Sequence, residues 1–251
     1  MQLPRDTPTA ARKTILVPDI DWVEIPAGPF IYQEGETVEL PAFSISRYPI
    51  TNAQYQTFID AGGYDEDRWW KDLVKPKPEA SHWPQPNRPR TDVDWYEAVA
   101  FTRWLSAQLG QEIRLPTEQQ WEKAARGTEG LEYPWGNEYR SGYANVNETV
   151  TNAGPWYLEQ TTAAGLYPQG QSHFGVLDMA GNVWEWCLNR YEHPEVITAD
   201  SSGDNRVVRG GSWVNNPKDI RTSSRYRGDP DFRYSRRGFR VVLLSTPIAG
   251  R

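Results

Sequence analysis

The chain is poor in the side chains that usually hold metals. One cysteine, Cys187, and three histidines, His82, His173 and His193, are all that 251 residues offer. A single cysteine excludes an intrachain disulfide and fits a reducing compartment. The histidines lie too far apart for the spacing of a zinc or iron site. Long apolar runs are also missing. None approaches the roughly 20 residues of a membrane-spanning helix, so membrane insertion is not expected. Positive charge is not in excess either: the net charge of -6 disfavours nucleic acid and anionic membranes as partners. Residues 1–13 are polar and carry no signal-peptide core, which points to a cytoplasmic location. Residues 1–20 read as a flexible lead-in.

Aromatic rings are abundant. Only 38% of residues are hydrophobic, yet there are 12 Trp and 13 Tyr, beside 20 Gly and 20 Pro. The core must therefore be built largely of rings whose N–H and O–H groups need partners. That composition predicts a loop-rich fold with aromatic wedges holding the loops.

Three helices are signalled by one device, an N-cap side chain followed three residues later by an acid or amide that reaches back. Thr51 with Gln54, Asp94 with Glu97, and Thr117 with Gln120 are the pairs. Gly62-Gly63, Gly110 and Gly127 are the stops. Segments 21–30, 43–50, 206–213 and 238–244 read as strands or strand–turn units. Segment 65–90 reads as a long loop pinned by Trp69, Trp70 and Trp83. No repeat and no Gly/Ser linker divides the chain, so 21–251 is expected to be a single α+β domain.

Seven stretches carry a family resemblance. They are YPITNAQYQTFI at 48–59, VDWYEAVAFTRWLS at 93–106, RLPTEQQWEKAARG at 114–127, YPWGNE at 133–138, FGVLDMAGNVWEWC at 174–187, RVVRGGSW at 206–213 and RGFRVV at 237–242. In order and spacing they resemble the formylglycine-generating-enzyme (sulfatase-modifying factor) family. The resemblance implies a C-type-lectin-type fold with short strands and few helices. The family's copper-dependent enzymes use two cysteines after the Gly-Gly-Ser-aromatic turn, thiolates being the ligands that Cu(I) selects. Asn215 and Ile220 stand at those positions, so no copper and no enzymatic activity are expected. Related sulfoxide synthases carry iron in an additional helical domain, for which this chain looks too short.

The resemblance also implies structural Ca²⁺. One set would be the side chains of Asp178 and Glu185 with the carbonyls of Gly181 and Val183; a second would begin at Asn145 and Val146. Turn-capping acids and packed tryptophans are the plainer reading of the same residues.

Segment 213–238, WVNNPKDIRTSSRYRGDPDFRYSRRG, alternates frame-like and arbitrary-looking residues. It resembles the variable region of proteins diversified by retroelements that mutate template adenines. From Asn codons that process never yields Lys, Glu, Gln, Met or Trp. Val214, Tyr226, Arg227, Gly228, Asp229, Phe232, Tyr234, Ser235, Arg236 and Arg237 are the variable-looking positions, and all hold reachable types. Their mixture of Tyr/Phe, Arg, Gly and Ser is that of a paratope. The expectation is a non-catalytic binding protein taking an unknown protein or small-molecule ligand on this surface. The alternatives are a degenerate accessory or sensor domain with one fixed partner, or a copper-dependent oxidase. Arg209, Arg221, Arg225 and Arg240 match frame positions, where pairing to carboxylates is expected.

Overall fold

A computed structural model describes residues 15–247. The first 14 residues of the expected lead-in lie outside them. Within the described part the lead-in is not free: Ile20 is buried in the main core cluster and Val17 packs against it.

The helices form where the capping boxes place them. They are α1 (Asn52–Asp60), α2 (Trp95–Leu109) and α3 (Glu118–Arg126), and each keeps both reciprocal cap hydrogen bonds. Helix α2 buries most of its length, including Trp95, Phe101 and Trp104, and stops at Gly110 in the left-handed region.

The strands are β1 (Trp22–Ile25), β2 (Gly28–Tyr32), β3 (Glu36–Leu40), β4 (Phe43–Ser46), β5 (Gln111–Arg114), β6 (Trp184–Arg190), β7 (Arg206–Arg209), β8 (Arg225–Gly228), β9 (Arg237–Gly238) and β10 (Val242–Pro247). One sheet runs β1-β4-β10-β5, β2 and β3 form a hairpin, and a second four-stranded sheet runs β8-β7-β6-β9. This is an α+β, C-type-lectin-type arrangement. Four strands fall outside the sequence expectation: β3, which alternates with largely exposed charge, β5, directly after α2, β6, inside the DMAGNVWEWC motif, and β8, inside the variable-looking segment. Segment 65–90 is a loop with one 3-10 turn at Asp67–Trp70, and Trp69 and Trp70 are buried as expected.

The second sheet separates two cores. Side chains alternate across a strand, so Trp186 and Leu188 join the cluster of α1 and α2. Cys187 and Val207 join the cluster that contains Trp121 of α3. Charges are sealed into the second cluster. Fully buried Arg209 reaches Glu118 at 2.8 Å and Glu122 at 2.5 Å, and Arg225 adds a second guanidinium to Glu118 at 2.7 Å. Arg240 grips Glu185 with both fork arms, at 2.5 and 2.8 Å, and donates to the carbonyls of Ser46 and Leu177. The frame arginines thus pair with carboxylates; Arg221 does so at the surface, 3.1 Å from Glu132.

Removing one partner of such a pair strands a buried charge, which costs about 3–5 kcal/mol. Arg240→Ala is expected to destabilise by that amount in urea unfolding. Phe239, fully buried against Tyr55 and Phe101, is expected to cost about 3–5 kcal/mol as Phe239→Ala. A loss below about 1 kcal/mol in either variant would contradict the assigned packing.

Candidate functional site

The Gly-Gly-Ser-aromatic turn shapes the site. Gly211 takes a left-handed φ of +74°, and a Cβ there would stand 2.5 Å from Cγ2 of Ile220. Only glycine lets the turn settle onto Ile220, which is itself fully buried. The turn then presents Asn215. Its Oδ1 accepts from the Ser212 N–H at 3.0 Å, the Ser212 hydroxyl at 2.7 Å and the Trp184 indole N–H at 3.0 Å. Its backbone carbonyl accepts from Asn147 at 2.8 Å.

Around Asn215 lies a recess of about 450 Å³, lined by Trp184, Val214, Asn215, Asp219, Tyr226 and Arg236 together with Ser224 and Arg225. Trp184 and Tyr226 face each other across the sheet with centroids 6.0 Å apart. The Asp219 carboxylate accepts from the Asn216 amide at 2.6 Å. From Arg236 the wall continues onto Tyr234, whose ring lies 5.2 Å from the Arg236 guanidinium carbon and stacks on Phe232 at 5.9 Å.

The loop that carries these rings is fixed from behind. Arg233 donates twice to the buried carboxylate of Glu97, at 2.8 and 2.7 Å, and once to Glu79. The Tyr234 carbonyl accepts from Asp92, the Pro230 carbonyl from Trp95, and the Ser235 carbonyl from the Trp83 indole. The side chains between these anchors point out: Tyr226 is 57% exposed, Phe232 54% and Tyr234 37%.

The structure therefore gathers Val214, Tyr226, Phe232, Tyr234 and Arg236 on one face, with Ser235 half-buried beside them and Asp229 exposed on the same loop. Three of the variable-looking positions differ from expectation. Gly228 is buried, and a Cβ there would stand 2.4 Å from the Trp186 ring, so no side chain fits. Arg237 is also buried, 4.5 Å over Trp186. Arg227 is exposed but alternates to the opposite side of β8 from Tyr226. Trp184 is a half-buried wall of the recess, and half-buried Trp213 stacks with Tyr157 and meets Trp83 edge-on. Trp184 and Asp219 line the recess without having been marked as binding residues in the sequence, because only folding brings β6 and the 3-10 turn Pro217–Ile220 beside Val214.

The expected calcium ligands meet an obstacle. Both oxygens of Glu185 are engaged by Arg240, and Oε2 also accepts from the Trp121 indole at 2.7 Å. The Gly181 carbonyl accepts from Val183, and Asp178 Oδ2 accepts from Gly165 at 2.6 Å. Burial pushes the Asp178 carboxyl up to about 6. A divalent ion on this set would have to share Glu185 with the Arg240 guanidinium, whose charge already neutralises that carboxylate. At the second expected set, the Asn145 carbonyl accepts from Asn182, and its amide donates to the Gln160 carbonyl. Val146 is buried beside Gly181. The nearby acid, Glu148, already accepts from Tyr139, Ser141, Gly142 and Trp156. Millimolar calcium or EDTA is accordingly expected to leave the thermal midpoint unchanged; a calcium-dependent rise, as a ligand of the native state produces, would restore the metal assignment.

Comparison with known proteins agrees with this geometry. The model of the sulfatase-modifying factor enzyme 1-like domain matches residues 8–244. Hercynine oxygenase of Mycobacterium tuberculosis is 33% identical over 85% of this chain and 55% of its own length. The formylglycine-generating enzyme of Bos taurus is 27% identical over 93% of this chain and 77% of its own. The chain spans about half the length of the hercynine oxygenases it matches. Among solved structures, Treponema denticola variable protein 1 superposes with a TM-score of 0.70 at 22% identity, covering 92% of this chain and 98% of that one. These relatives correct the expectation that the chain is not an enzyme. Asn215 and Ile220 remove one thiolate pair, and the step from that loss to no catalysis does not hold when the similar curated proteins are named enzymes. With the fold, the Gly-Gly-Ser turn and the family model in agreement, the chain belongs to the formylglycine-generating-enzyme, or sulfatase-modifying factor enzyme 1-like, family.

Proposed function

We propose that the face formed by Val214, Tyr226, Asp229, Phe232, Tyr234, Ser235 and Arg236 binds a ligand, and that its exposed side chains are interchangeable on a fixed frame. The observation that carries this reading is the division of labour within one segment. Arg233, Pro230 and the backbone carbonyls hold the loop, while rings that contribute nothing to the core stand in solvent. Exposed aromatics and arginines are the residues that concentrate binding energy in interfaces, and a bare surface gains nothing from keeping them. Diversification by a retroelement is the finer form of the reading. It requires a reverse transcriptase gene and a near-identical template repeat beside the coding sequence, and their absence would reduce the reading to a single fixed ligand.

A second reading has its own support. Asn215, aligned by resemblance with a metal-binding thiol, lines this same recess, and hercynine oxygenases are among the similar proteins. The recess would then hold the substrate of an oxygenase, with Trp184 and Tyr226 as its walls and with a metal held by donors other than residues 215 and 220. Hercynine-dependent oxygen consumption by the purified protein supplied with ferrous salt and a thiol would favour it.

The binding-face reading makes a separable demand on stability and recognition. Tyr226→Ala, Phe232→Ala and Arg236→Ala are each expected to change unfolding free energy by no more than about 0.5 kcal/mol, as surface sites do. The same variants should weaken capture of a peptide selected on the wild-type protein by about tenfold or more, or about 1.4 kcal/mol. Undiminished capture by all three would place binding elsewhere.

A further inference from the structure

Among the described residues, Arg237 has no ion-pair partner. Its side chain is nine-tenths buried, the situation in which a cation ordinarily requires a paired carboxylate. Most other buried arginines follow that rule: Arg126 has Glu122, Arg206 has Asp200, Arg209 has Glu118 and Glu122, and Arg240 has Glu185, whereas Arg90 lies over the Tyr55 ring and donates to the Glu79 carbonyl. Among the described residues no carboxylate lies within ion-pair distance of Arg237, and its one side-chain hydrogen bond is a long contact of 3.4 Å to the Phe232 carbonyl.

What holds the guanidinium is a sandwich of rings. Its carbon lies 4.5 Å from the Trp186 ring centroid and 4.7 Å from that of Tyr234. Arg236 lies 5.2 Å from the same Tyr234 ring, and it too lacks an acidic partner among the described residues. Two unneutralised cations therefore flank one ring on a protein whose net charge is -6. Burial drives the Arg237 pKa down to about 10, neighbouring Arg236 pushes the same way, and Asp229 opposes only at longer range. Asp219, the carboxylate that lines the recess with Arg236, accepts from the Asn216 amide. Gly228 completes the arrangement: a Cβ there would intrude on Trp186 at 2.4 Å and on Arg237 Nη1 at 3.2 Å. The fold thus reserves space for a cation that it does not neutralise.

We infer that Arg236 and Arg237 receive an anionic group, carboxylate or phosphate, carried on an apolar or aromatic body that packs against Phe232, Tyr234 and Tyr226. This rests on the reading of the face as a binding surface and gives that surface a ligand class. The planar guanidinium matches both oxyanions in a two-pronged geometry, and charge-assisted hydrogen bonds formed away from bulk water are the stronger kind. Arg237, fixed between two rings, loses little freedom on binding, whereas exposed Arg236 closes over the ligand from the rim.

The test uses the whole chain labelled with ¹⁵N, read through the arginine Nε–Hε and tryptophan indole signals. Four probes are titrated: benzoate, phenyl phosphate, neutral benzamide and cationic benzylamine. Benzoate or phenyl phosphate should shift the Arg236 and Arg237 signals and bind about tenfold or more tightly than benzamide, and benzylamine should bind more weakly than benzamide. The two anions distinguish a carboxylate source from a phosphate source. Arg236→Gln and Arg237→Gln should each erase most of that preference, read within each variant as the ratio of anion to benzamide affinity. If Arg237→Gln fails to fold, exposed Arg236→Gln decides. Equal affinity for the anions and benzamide, a preference that survives Arg236→Gln, or no binding of either anion at tens of millimolar overturns the inference. Binding of benzamide alone overturns it while leaving the binding-face reading intact, because that reading is judged by peptide capture.

Discussion

Arginine neutralised inside the protein is the constraint on which the C-terminal half depends. Arg240 sits where both four-stranded sheets meet: it grips Glu185 of β6, donates to the Ser46 carbonyl at the end of β4, and reaches Leu177 ahead of the DMAGNVWEW loop. Trp121 of α3 shares the same carboxylate. One guanidinium thereby fixes the separation of sheet, helix and loop. Arg209 repeats the device one strand away, against two glutamates of α3. These ions are expensive to desolvate, and they tolerate burial only because nearly every arm of each fork finds an oxygen.

The same chemistry explains why the outer face is free to be unusual. Arg233 performs at the surface loop what Arg240 performs in the core, tying a mobile class of sequence to buried Glu97 at the start of α2. Once the loop is anchored through one side chain and several carbonyls, its exposed rings are not needed to fill the core. Phe232 and Tyr234 stack on each other in solvent, and Tyr226 leans on Trp184. Under the proposed binding role, binding and folding would be carried by different residues of one segment. Asn215 lies at the boundary: it locks the turn through Ser212 and Trp184 and at the same time lines the recess. A ligand-binding reading and an enzymatic reading therefore share a location, and the enzyme relatives keep both in view.

Much was legible in the sequence because it is local. The three capping boxes set the helix starts to the residue, since each is a pair of hydrogen bonds between positions three apart. The Gly-Gly-Ser turn, the motif order and the frame arginines identified the fold family and marked the segment that bears the candidate site. What the sequence alone did not determine was direction and pairing. Whether residue 228 or 237 faces out depends on β8 and β9 joining β6 and β7 in one register, and that register turns Gly228 onto Trp186 and Arg237 beneath Tyr234. Glu185, expected as a calcium ligand, is also the partner of Arg240, 55 residues further along the chain, and nothing local announces that pairing. Alternation and capping act between neighbours and can be read along the chain. Counter-charges and recess walls are made by segments that meet only after folding, so only the tertiary structure could assign them.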